Sequence, residues 1–246
     1  MPLIPVALLI AAFVCLLGTF LLLRTLGSRY RVGRLLAAAP EVSIAEARAM
    51  AERRDAPAYV RLTGRITSDE EFPDENDRPL VYRRRRLEAA PRPGQWIAIS
   101  DEREAVPFGV ETRSEFIAVD EASIDEGLVA IPRDATGTVA ELPQPIATEF
   151  AEALEGLAPE APARLVIEQL SAVEHATICG TPVLRAGQPA ISAGRERPLI
   201  VTTLAVPEAI RLLAGPFRRR VQVAAGLLGV AVVLAAAALV AQLAGL

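Results

Sequence analysis

The chain has no lysine, so all 26 of its basic side chains are arginine. No lysine modification can regulate it, and the bias reads as the codon usage of a GC-rich bacterial genome. Histidine occurs once, at His175, and cysteine twice, at Cys15 and Cys179. A structural zinc site takes four nitrogen or sulfur ligands and a catalytic one usually three protein ligands. Cysteine and histidine here supply neither, and a single thiol in the middle of the chain supports no disulfide framework. No glycine-rich phosphate loop follows any predicted strand, so no metal or cofactor is expected. A net charge of -4 argues against general nucleic-acid binding, which draws its affinity from neutralised phosphates.

Charge is also missing from two long stretches. Residues 3–23 and 221–246 are uncharged and mostly aliphatic. A hydrocarbon core of about 30 Å needs about 20 helical residues at about 1.5 Å each, and both stretches meet that length. Arg24, Arg29, Arg31 and Arg34 follow the first; Arg211, Arg218, Arg219 and Arg220 precede the second. The positive-inside rule then puts the middle of the chain in the cytoplasm, with both termini outside a bacterial plasma membrane. A cleaved signal peptide would carry its charge before the apolar run instead. Ala225 and Gly229 have small-x-x-x-small spacing, which suits close packing with the first span or with a second copy.

The expected organisation is a membrane helix at 1–23, a basic segment and linker helix at 24–57, and a soluble domain at 58–205. A juxtamembrane helix at 206–220 and a second membrane helix at 221–246 follow. Ser43 and Glu46 have the S-x-x-E form of a capping box, which predicts a helix from Ser43 that Pro57 stops. The period then changes to that of strands, predicted at 59–66, 80–87, 95–100, 116–119, 128–131, 164–168, 176–180 and 199–203. Gly64 reads as a bulge or bend. A helix is expected at 148–157, and another opens at Pro207 and ends at Gly215-Pro216. Arg78-Pro79-Leu80-Val81 after Gly64 is echoed by Arg197-Pro198-Leu199-Ile200 after Gly180, a pattern that two small β lobes would give. The fold class is α+β.

Candidate chemistry is sparse. His175 and Cys179 would lie on one strand about 13 Å apart at about 3.3 Å per residue, too far for a base and its nucleophile. The acidic loop at 69–77 lacks calcium-loop spacing and reads as solvated. Asp74, Glu75 and Asp77, with Pro107 and Phe108, are the first candidates for protein contact. Arg29, Arg31, Arg34, Arg218, Arg219 and Arg220 are candidates for lipid headgroups. Arg83, Arg84, Arg85 and Arg86 would alternate across a strand, neutralised by the acidic loop or offered to an anionic partner. Trp96 and Phe108 are expected in the core.

The order Gly64-Arg65-Ile66, Arg78-Pro79-Leu80-Val81-Tyr82, Trp96-Ile97-Ala98-Ile99, Val106-Pro107-Phe108, then Ile117-Ala118-Val119-Asp120 and Leu170 to Gly180, resembles the GIDE domain. The module is also called BAM, for "beside a membrane". The resemblance spans residues 58–203, ends at Pro198-Leu199-Ile200-Val201, and includes the flanking spans. It implies a β-rich domain that engages partners, as in mitochondrial membrane-anchored RING-type ubiquitin ligases and in prokaryotic members. Those ligases carry a zinc-binding RING after the second span, and these 246 residues have no cysteines to build one. The expected function is therefore a membrane-tethered protein-binding or scaffold module. The alternatives are a component of ubiquitin-like ligation with the RING supplied by another chain, or a lipid-sensing or membrane-perturbing module.

Overall fold

The computed structural model describes residues 3–24, 27–53, 58–92, 95–215 and 218–243. Pro57 and Pro216, expected as helix stops, lie outside them. The chain forms two units: Met1–Ala37 with Ile210–Leu246, and Ala38–Ala209.

The first unit is helical. Its first and last helices, α1 (Leu3–Arg24) and α7 (Arg218–Leu243), are long and apolar enough to cross a membrane. They pack on each other through small residues. Pro5, Ala12 and Thr19 are buried on α1, and Ala224, Ala231 and Ala238 on α7, each at seven-residue spacing. A strict seven-residue repeat keeps one seam facing its partner along the whole helix. Thr19 Oγ1 donates to Cys15 O at 2.9 Å and lies 3.5 Å from Ala224 O. The end of α1 thus meets the start of α7, and the helices run antiparallel. Ala225 and Gly229, the expected packing motif, are exposed, and nothing lies within 4 Å of where a Gly229 side chain would begin. The seam uses the neighbouring alanines, one position round the helix.

Between the spans, α2 (Ser28–Ala38) was expected only as a basic stretch. It is a helix because Val32, Gly33 and Leu36 share a buried face while Arg29, Arg31 and Arg34 stay outside.

The second unit is a β body. The helix α3 (Ile44–Arg53) starts at the expected capping box: Ser43 N donates to Glu46 Oε2 at 2.8 Å, and Glu46 N to Ser43 Oγ at 3.2 Å. It is no linker, since Ile44 and Ala47 enter the main core. Strands β1 (Val60–Thr67), β5 (Phe108–Glu111), β6 (Phe116–Val119), β11 (Gln188–Ser192) and β10 (His175–Arg185) pair in that order, and β10 pairs back with β1. The ring closes, which removes exposed strand edges. β12 (Ile200–Thr202) and β7 (Leu128–Val129) extend it from β10. Leu62, Ile66, Val110, Ile117, Ile178 and Ile191 fill the interior, each 1% exposed or less. Full burial of such side chains stabilises by about 1.5–3 kcal/mol apiece.

The second sheet has the order β2 (Phe72–Pro73), β3 (Pro79–Arg92), β9 (Pro162–Ser171), β8 (Arg133–Thr138), with β4 (Gln95–Ala105) on β3. Its near end contributes Val81, Tyr82 and Leu170 to the main core. Its far half packs Leu87, Ala163 and Leu165 against Leu142 and Phe150. Phe150 lies between α4 (Gln144–Glu149) and α5 (Ala151–Leu154), so the helix expected at 148–157 begins earlier, at the Pro143 cap. The echoed segments are not two lobes. Gly64 and Gly180 lie on paired strands of one ring, whereas Pro79 opens a strand of the other sheet. Gly64 holds regular register opposite Ala176, and a Cβ there would meet Glu111 O at 2.8 Å. It marks a close backbone approach, not a bulge. Helix α6 (Val206–Ala214) follows β12, and the division of the chain between the two units falls after its Ala209.

Candidate functional site

Most described arginines of the body are committed to ion pairs with its acids. Along β3 the arginines alternate, as expected, but their acids come from β4 and, for Arg86, from β3 itself, and not from the acidic loop. Arg84 donates Nε and Nη2 to Asp101 at 2.7 and 2.6 Å, and Arg85 pairs with Glu102 at 3.1 Å. Arg83 pairs with Glu104, and Arg86 with Glu88, which also takes Arg164. The Arg84–Asp101 pair has the fork geometry of a strong bidentate pair. Donation by Arg84 holds the Asp101 carboxyl below its usual range. Arg103 carries the ladder onward to Asp125 at 2.7 Å and Ile124 O at 3.4 Å.

The expected contact residues separate into buried and exposed. Asp74 is buried: its Oδ1 accepts from Asn76 N at 2.7 Å and Arg78 N at 2.9 Å, and its Oδ2 from Arg78 Nε at 3.1 Å. The backbone N–H of Arg78 leads in pushing its carboxyl down to about 2. Asp74 therefore shapes the β2–β3 turn and is not a contact surface; Asp77 takes a φ of 57° in that turn. Glu75 and Asp77 are exposed. Phe108 is 4% exposed with its ring in the core, as expected from aromatic burial, and it also lines the groove described below, while Pro107 is exposed. Trp96 is not core: it is 38% exposed on the outer strand β4, with the Arg164 guanidinium 4.5 Å from its ring centroid. In the helical unit Arg29, Arg31, Arg34, Arg219 and Arg220 are exposed. Arg218 opens α7, and its side chain lies outside the described residues.

His175 and Cys179 both lie on β10, His175 exposed and Cys179 at 0% exposure. Burial pushes the Cys179 thiol up to about 12, which leaves it a poor nucleophile. Among the described residues no group of three or more His, Cys, Asp or Glu is placed to hold a metal ion.

What remains open is a band on the outer face of the ring. Register sets His175 opposite Arg65, Arg65 opposite Glu111, and Glu111 opposite Phe116. Directly opposed residues point to the same side, so these four form a row across β10, β1, β5 and β6. On one side of Glu111 a groove of about 480 Å³ is lined by Ser68, Asp69, Pro107, Phe116, Ala118 and Gln188. Phe116 is 46% exposed, and a side chain at Gly109 would collide with its ring, so glycine there leaves the bed on which the ring lies. Ser68 Oγ lies 2.6 Å from both Glu70 O and Pro107 O, donating to one at a time, and ties the acidic loop to the groove wall. On the other side of Glu111 a polar cleft of about 430 Å³ is lined by Thr63, Arg65, Thr112, Arg113 and His175. Pro107 and the start of the acidic loop were expected at a contact surface. Phe116, Gln188, Arg65 and Arg113 were not, because only strand pairing brings them together.

No family model matches the chain, and no curated protein or solved structure matches it either.

Proposed function

We propose that this chain is a membrane-tethered binding module without catalysis of its own, which holds a segment of a partner protein on the outer face of its β ring. The observation that carries the reading is the groove between Asp69, Pro107 and Phe116. It is open, floored by apolar side chains and edged by the carboxylates of Asp69 and Glu111, a combination that suits an apolar residue flanked by basic ones. The GIDE-type reading agrees with a β-rich body between two apolar helices, and with Pro107 on that groove. The arginine flanks favour a cytoplasmic body with both termini outside, and they place Arg29, Arg31 and Arg34 of α2 for contact with anionic headgroups.

The test is affinity purification of the full chain from native membranes beside a Phe116→Asp variant. A protein recovered in near-equal amount with the parent and lost with the variant supports the module. Equal recovery with both, or recovery of the chain alone, contradicts it. Orientation is read by maleimide labelling of an Arg195→Cys variant on sealed cells. A cytoplasmic body stays unlabelled until the membrane is opened, and labelling of intact cells reverses the assignment.

A further inference from the structure

We infer that the polar cleft on the other side of Glu111 is a binding site for a phosphorylated polyol, independent of whether a protein segment occupies the groove. Arg65, Arg113 and His175 converge on this cleft, from β1, from the loop after β5 and from the start of β10. Among the described residues their side chains make no hydrogen bond, ion pair or ring contact. Most other described arginines of the body are taken up by acids, at Glu41, Asp74, Asp101, Glu102, Glu104, Glu115 and Asp120 among others.

Two free guanidinium groups and an imidazole supply N–H donors from three directions. A phosphate monoester presents three terminal oxygens and matches such a set better than a carboxylate, whose two oxygens lie in one plane. Glu111 is the only acid among the cleft's lining residues, and alone it would repel an anion. Beside a phosphate it has a use, because a carboxylate accepts from hydroxyl groups. The hydroxyls of Thr63 and Thr112 both donate and accept. Cations and acceptors side by side in one cleft, with Glu111 directly across from Arg65, select a ligand with a phosphate next to hydroxyls. A volume of about 430 Å³ accommodates one sugar- or inositol-sized group. Such a group reaches the protein either free in solution or as the headgroup of a phospholipid.

The chain's single histidine and single tryptophan make the test direct. The full ¹⁵N-labelled chain in phosphatidylcholine nanodiscs is titrated with inositol 1-phosphate, with inorganic phosphate, and with sodium chloride at matched ionic strength. The His175 imidazole resonances should shift saturably with both phosphates, several-fold more tightly for inositol 1-phosphate, and not with chloride. Arg65→Gln and Arg113→Gln should each weaken binding at least tenfold. Glu111→Gln should erase the preference for the polyol. The Trp96 indole resonance checks the fold, and if Arg65→Gln disturbs it, Arg113→Gln in the loop decides. A linear, chloride-like response, or saturation that survives both arginine variants, overturns the site. Equal affinity for the two phosphates overturns the polyol assignment. Nanodiscs doped with phosphatidylinositol phosphate identify the source: a His175 shift there marks the lipid headgroup, and a shift only with free inositol 1-phosphate marks the soluble ligand.

Discussion

The arginines of β3 and the arginines of the open cleft carry the same charge on strands of the same body, yet they meet different neighbours. β4 brings Asp101, Glu102 and Glu104 alongside Arg83, Arg84 and Arg85, and the register turns three cations into structure. β10 and β5 bring one histidine and one glutamate alongside Arg65, and the cation stays available. What strand pairing places opposite a guanidinium decides whether it holds the fold or stays open to solvent.

The largest expected effect tests the committed side of that comparison. Arg84→Ala removes a largely buried guanidinium and leaves the Asp101 carboxylate without its bidentate partner, and should cost about 2–3 kcal/mol. Urea unfolding of the full chain in nanodiscs, followed by Trp96 fluorescence, measures it. Arg65→Ala in the same assay should fall within about 0.5 kcal/mol, as for surface sites with no partner. Equal losses would erase the distinction.

The helical unit offers the same contrast between a used face and a free one. Ala231→Leu overpacks the seam and should destabilise the helix pair by about 1–3 kcal/mol, whereas Gly229→Leu points away from it. In a Cys15→Ser background, cross-linking between Gly18→Cys and Leu227→Cys should fall sharply with the first and persist with the second. A Gly18 side chain would start 3.6 Å from Leu227. Persistence with both would mean that the seam runs elsewhere.

A smaller effect separates Asp74 from its exposed neighbours. Its folded pKa of about 2 lies below the ordinary carboxylate value of 3.8. The stability it lends is therefore fully present above about pH 4 and lost as pH falls towards 2. Stability measured between pH 5 and 2 should decline less steeply in Asp74→Asn, which starts from a lower plateau. Glu75→Gln and Asp77→Asn should leave the slope unchanged. An Asp74→Asn curve parallel to the parent's would contradict the assignment.

Local patterns were legible in the sequence. Ser43 and Glu46 announced their capping box, residues 59–66 alternated as a strand, and the two apolar runs stood out by length. Three kinds of feature were hidden. The arginines of α2 masked the stripe of Val32, Gly33 and Leu36, so a helix read as a basic linker. Short strands such as β8 and β11 carry too few apolar residues to show a period. Long-range pairing was hidden most deeply, because nothing local tells Arg65 that His175 lies opposite. For the same reason Trp96 read as core: β4 runs on to Ala105 with only β3 beside it, which leaves the ring on an outer strand.

The central claim, that the outer face of the ring is a docking surface, is tested most directly by site-specific photo-crosslinking of the full chain in native membranes. A photoreactive residue is placed at Phe116, with a second at Trp96, which is also exposed, as the control. The account predicts one discrete adduct from position 116, absent from position 96 and lost when Asp69 and Glu111 are both neutralised. The same adducts from both positions, or none from position 116, would contradict it.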